Sequence, residues 1–124
     1  MIISAPASAS AFAMAHPYPP SSPIPATNAF LPFKSIVKTW GEEIYFEIPI
    51  EESLDLEKDA KDIINIGEIA YWIEGKCIAI GYGKTPISKG NEIKLAARTN
   101  IWGDALLNIK ELNKIKDGDE VVVS

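Results

Sequence analysis

The chain has 124 residues, 47% of them hydrophobic and 23% charged, with a formal net charge of −5. Those values describe one small globular domain with room for a single core. An acidic chain without a basic patch is not expected to bind nucleic acid, and no apolar run is long enough to cross a membrane as a helix.

The charges are unevenly placed, since every one lies at Lys34 or beyond. Residues 1–26 read as an uncharged arm rich in Ala, Ser and Pro, and residues 27–124 as the folded domain. Pro6, Pro17, Pro19, Pro20, Pro23 and Pro25 break helices and exclude central strands, which makes the arm largely an extended connector. Part of residues 1–15, either Met1–Ser4 or Ala11–Met14, is expected to lie against the domain as strand. Such pairing could occur within one chain or be swapped between two, so the expected state is a monomer or a homodimer. A signal peptide is not expected, because a basic opening is missing and Pro6 interrupts the apolar run.

From Ser35 onward the pattern has period two. Ile44, Phe46, Ile48 and Ile50 share one face of a strand, and Tyr45, Glu47 and Pro49 take the other. Glu51 to Lys61 is acidic and reads as a loop leading into a helical turn near Leu56 to Asp62. Glu68 to Ile73 and Lys76 to Tyr82 predict a hairpin turning at Glu74-Gly75. The second of these strands is apolar on both faces, as a strand covered on both sides should be. Lys84 to Asn91 is a loop, and Glu92 to Ala96 and Thr99 to Leu106 predict two further strands. Ile109, Leu112 and Ile115 recur at helical spacing. Asp117-Gly118-Asp119 is a turn, and Glu120 to Val123 closes the chain as a strand. Ile44, Phe46, Ile48, Ile78, Ile80 and Val122 are expected to point inward.

So many short strands with so little helix predict a mainly β fold, a closed β-barrel with one or two short helices. The ordered motifs Trp40-Gly41-Glu42-Glu43-Ile44-Tyr45-Phe46, Gly67-Glu68-Ile69-Ala70-Tyr71-Trp72, Gly83-Lys84-Thr85-Pro86-Ile87-Ser88 and Lys116-Asp117-Gly118-Asp119 resemble the small prokaryotic cyclophilin-like family, a family of unknown function. The resemblance covers about residues 27–124 and implies a cyclophilin-type barrel. Members of that family open with two charged strands and a helix before a segment like Leu31-Pro32-Phe33-Lys34-Ser35. This chain departs from them in its proline-rich, uncharged opening.

The resemblance raises prolyl isomerisation as a possible activity. Cyclophilins proper use an arginine guanidinium and a glutamine side chain over an apolar floor. Here Arg98 is the only arginine, glutamine is absent, and Ala96-Ala97-Arg98-Thr99 matches no cyclophilin catalytic motif. Gly83-Lys84-Thr85 imitates the end of a phosphate-binding loop, but Ile78 stands where the first glycine should, and Pro86 replaces the following helix.

Other chemistry is equally thin. Cys77 lies in an apolar strand and reads as a buried structural thiol; a lone cysteine leaves no internal disulfide, as in a cytoplasmic protein. One His and one Cys make no zinc site, and no metal or cofactor is expected. Carboxylates at Glu42/Glu43, Glu51/Glu52 and Asp117/Asp119/Glu120 occupy turns and strand ends, where charge is normally solvated. The aromatic residues are the better lead. Period two puts Tyr71 and Trp72 on opposite faces, so one of them must leave the core. Trp40, Tyr45, Tyr71 and Trp72, with Thr85 and Arg98, are the candidate lining of a shallow groove for a small ligand or peptide. The expected function is therefore a non-catalytic binding module, with a divergent prolyl isomerase as the alternative.

Overall fold

The structure, a computed structural model, describes residues 2–4, 13–17, 32–50 and 54–124. The strands are β1 (Ile2–Ser4), β2 (Ala13–Pro17), β3 (Phe33–Ile36), β4 (Lys38–Thr39), β5 (Glu43–Glu47), β6 (Lys61–Ile64), β7 (Glu68–Trp72), β8 (Cys77–Gly81), β9 (Ile93–Leu107) and β10 (Glu120–Val123). One short helix, α1 (Ile109–Leu112), sits between β9 and β10, capped by the Asn108 side chain, which accepts from the Glu111 amide.

The strands form one mainly antiparallel sheet in the order β3-β10-β1-β2-β9-β7-β8-β5-β4, with β6 paired to β9 off this path. The path begins and ends on neighbouring pieces of chain, because β3 and β4 are separated only by Val37. Val37 donates its amide to the Asp119 carbonyl at 2.8 Å and accepts from the Gly118 amide at 2.8 Å. No ladder among the described residues closes the sheet on itself, so the fold is mainly β with one short helix.

The opening residues contribute two strands despite their lack of charge. Ile3 lies opposite Val123 on one side and Ala13 on the other, and β2 runs beside Leu107 to Gly103 of β9. Ile3 is fully buried. Of the stretch Pro17 to Pro25, expected as an extended connector, Pro17 instead ends β2 opposite Gly103 of β9, a strand-terminal place inside the sheet. Residues 18–25 fall outside the described residues, as do Glu51 and Glu52.

The main core lies on the inner face of the sheet and gathers Ile44, Phe46, Ile48, Ile69, Tyr71, Ile78, Ile80, Trp102, Leu112, Val121 and Val123. This is the face the alternation of β5 predicts. At the C-terminus the expected face is inverted: Val121 and Val123 are fully buried and Val122 is not. The run Val121-Val122-Val123 is uniformly apolar, so alternation carries no information there. Pairing with β1, which places Val123 opposite Ile3, sets the parity.

Two further expectations are corrected. Residues 61–64 form strand β6 rather than the end of a helical turn, because β9 supplies a partner ladder for them. The two strands expected between Glu92 and Leu106 are one continuous strand of 15 residues. Its first part pairs with β6, and its second part pairs with β7 and β2. β9 thus passes from a covering layer into the main sheet, and this creates a second, smaller core on the outer face from Ile64, Ala70, Ala79, Ile93 and Leu95.

Candidate functional site

The site lies in this outer layer. On β5 the alternation that sends Ile44 and Phe46 inward turns Glu43 and Tyr45 outward, and on β7 it turns Trp72 outward while Tyr71 goes in. Ala79 on β8 stands opposite Tyr45. The first half of β9 then crosses this face but covers it incompletely. What remains is an apolar hollow of about 150 Å³, walled by Trp40, Tyr45 and Trp72, floored by Ala79 and Leu95, and rimmed by Ala96, Ala97 and Thr99. Tyr45 and Trp72 meet edge to face, with ring centroids 6.4 Å apart and planes at 83°. Tyr45 and Trp72 also border a second, larger hollow of about 550 Å³, lined further by Ser35, Ile36, Lys38, Glu47 and Cys77.

Two glycine-dependent contacts hold the walls. Gly41 adopts φ +63°, and a Cβ there would lie 2.7 Å from the Lys84 carbonyl oxygen. The turn therefore sits directly on the Lys84–Thr85 backbone, with the Glu42 amide donating to the Lys84 carbonyl at 2.8 Å and the Trp40 amide donating to the Glu43 carbonyl at 2.9 Å. Gly75 is the floor on which the Trp72 indole rests, since a Cβ there would come within 2.3 Å of the ring.

The opposite wall is fixed by side chains on β9. Thr99 donates its hydroxyl to the Lys61 carbonyl at 2.9 Å, and Asn100 donates to the Asp55 carbonyl at 2.9 Å while accepting from the Glu57 amide at 2.7 Å. Lys94 pairs with Asp62, and that contact holds the Asp62 carboxyl below its ordinary value.

Glu43 also lines the hollow, and it is the residue that sequence reasoning missed. Its position at a strand end suggests a solvated carboxylate, yet it is only 6% exposed. Two other carboxylates, Glu68 and Glu111, are buried among the described residues, and both are paired, with Lys61 at 2.8 Å and Lys114 at 3.2 Å. The Glu43 carboxyl has no such partner among the described residues. Burial pushes its pKa up to about 7. Sequence alternation does place Glu43 on the same face as Tyr45. Only the passage of β9 over that face makes the position a buried one.

The six residues expected to line the groove separate into four placements. Trp40, Tyr45 and Trp72 are brought together in the hollow. Tyr71 is not there: it is 1% exposed and stacks on Trp102 inside the main core. Thr85 is buried beneath the rim, where its hydroxyl donates to the Lys94 carbonyl and meets the Ser88 hydroxyl at 3.1 Å. It supports the loop under Gly41 instead of facing the hollow. Arg98 is exposed and directs its guanidinium to the Ala60 carbonyl at 3.4 Å. Cys77, expected as a structural thiol, is buried and donates its thiol to the Gly75 carbonyl at 3.2 Å. Burial raises its pKa to about 11, which keeps it a thiol near neutral pH.

Comparison with known proteins agrees with this architecture. Residues 17–124 match the cyclophilin-like family. The chain belongs to that family. Among solved structures, this cyclophilin-like protein is similar to a hypothetical protein from Archaeoglobus fulgidus whose structure was determined in solution. The identity is 32% and the TM-score 0.74, over 99% of this chain and 91% of the other. No curated protein matches the chain. Among the described residues of this cyclophilin-like chain, no group of His, Cys, Asp and Glu could hold a metal ion, and no helix is long and apolar enough to cross a membrane.

Proposed function

We propose that this cyclophilin-like protein is a binding module that holds a compact apolar group of a small molecule or peptide between Trp40, Tyr45 and Trp72. The observation that carries this reading is the hollow itself. Three aromatic side chains line a partly open, preformed space on the outer face; none of them belongs to the main core, and Tyr45 packs against the smaller one. A volume near 150 Å³ suits one ring or one branched alkyl group. The curled sheet serves as a barrel in which the segment from Phe33 to Thr39 joins the two ends, and a cytoplasmic location fits the single buried thiol.

The alternative, a divergent prolyl isomerase, finds less support. Its guanidinium would have to come from Arg98, which bonds to Ala60 outside the hollow, and glutamine is absent. Two measurements decide between the readings. In a prolyl-peptide isomerisation assay we expect no acceleration above the spontaneous rate. In NMR titrations with benzyl alcohol and with a proline-containing tetrapeptide, the indole N–H signals of Trp40 and Trp72 should move and that of Trp102 should stay. Acceleration that disappears in Arg98→Ala would replace the binding module with the isomerase.

A further inference from the structure

From the surroundings of Glu43 we infer that the group this hollow selects is an organic cation, an ammonium head carrying small alkyl substituents. The inference rests on the binding reading above and narrows it to a ligand class.

The argument starts from what lines the hollow. Among the described residues that line it, the titratable side chains are Glu43 and Tyr45. Glu43 is an acid more than nine-tenths buried, on the outward face of β5, with no cation beside it among the described residues. Among the described residues, no cation on a neighbouring element pairs with Glu43. Lys94 on β9 pairs with Asp62, and Arg98 bonds to Ala60. Lys38 on β4, with Glu47 and Cys77, lines the other hollow beyond Tyr45, and the Glu42 side chain lies against Gly83.

A buried carboxylate without a counter-charge is unfavourable, and an entering cation relieves that cost in a way a neutral group cannot. The same cation is attracted by the electron-rich faces of Trp40, Tyr45 and Trp72. The lining offers little to an anion: the one side-chain hydroxyl besides Tyr45, that of Thr99, already donates to Lys61. A hydrated inorganic ion would leave the apolar walls unsatisfied. Alkyl substituents fill them, and a trimethylammonium head is of the size the hollow holds.

The test compares choline with its neutral carbon isostere, 3,3-dimethylbutan-1-ol, by NMR titration of the full chain. We expect choline to bind about tenfold or more tightly than the isostere, moving the indole signals of Trp40 and Trp72 but not of Trp102. Glu43→Gln keeps the shape of the side chain and should erase that preference, leaving the two ligands within about twofold of each other. Trp72→Ala should weaken both. If the isostere binds in the hollow as well as choline does, or if Glu43→Gln keeps the preference, the cation inference falls and the binding reading stands. If choline, the isostere and benzyl alcohol all leave Trp40 and Trp72 unmoved, both fall.

Discussion

The indole of Trp102 lies flat on the ring of Tyr71, with centroids 4.2 Å apart and planes 11° from parallel. Tyr71 is drawn into the core by this stack while its neighbour Trp72 faces the other way and meets Tyr45. One strand therefore feeds an aromatic pair to each side of the sheet. The inner pair is structural and the outer pair borders the hollow.

The inner pair carries an imperfection that can be tested. The indole N–H of Trp102 is buried with no hydrogen-bond partner among the described residues. Trp102→Ala should cost about 3–5 kcal/mol by opening a cavity in the core. Trp102→Phe keeps a ring on Tyr71 and removes the orphan donor, whose burial costs roughly 1–3 kcal/mol, so it should be clearly milder. Urea unfolding of the two variants checks this; equal losses would mean that the N–H finds a partner in solution.

The two faces of β5 should respond differently to truncation. Phe46 is 1% exposed in the main core, and Phe46→Ala should cost about 3–5 kcal/mol. Tyr45 borders the hollow and is partly exposed, so Tyr45→Ala should cost much less and act mainly on ligand binding. Denaturant midpoints read the first effect and titrations the second. A larger loss of stability at Tyr45 than at Phe46 would mean the faces are assigned the wrong way round.

Glu43 makes stability depend on pH with an unusual sign for an acid. Its folded pKa, about 7, lies above the ordinary 4.5. Below pH 4.5 folded and unfolded chains both hold the proton. Between 4.5 and 7 the unfolded chain releases it first, so this group's contribution falls as pH rises, by on the order of 3 kcal/mol in all. Above pH 7 the loss levels off. Glu43→Gln should therefore gain stability relative to the parent at pH 8 and show little of that gain at pH 4. Urea midpoints at the two pH values measure it, and a difference that does not change with pH would contradict a buried, unpaired carboxyl.

The opening strands should be held as firmly as the sheet they join. Ile3 pairs with Val123 and Ala13, and β2 is laid along the last part of β9. Hydrogen exchange at residues 2–4 and 13–16 should be slow, comparable with Val121 and Val123. Immediate exchange there beside a protected β10 would show that the sheet stands without them.

Much of the fold was legible in the residues themselves. The alternation at Ile44 to Ile50, the Glu74-Gly75 turn and the doubly apolar Cys77 to Gly81 each follow from local period and turn chemistry, and the structure carries all three. These signals are local, so a single chain segment displays them. The family resemblance was equally visible, since its motifs are contiguous. The opposite orientation of Tyr71 and Trp72 was fixed by period two as well. Which of them entered the core was not, because both faces of that strand are covered and the choice depends on Trp102 arriving from β9. The same strand decided the rest. Its first half gives β6 a partner, roofs the outer face, and turns Glu43 from a strand-end charge into a buried acid beside Tyr45. No local pattern records that, because burial of a polar side chain depends on which distant segment covers it. Tertiary structure likewise removed Arg98 and Thr85 from the hollow, one to Ala60 and the other to Lys94. Sequence period determines which face a side chain takes; only the packing of remote strands determines what that face meets.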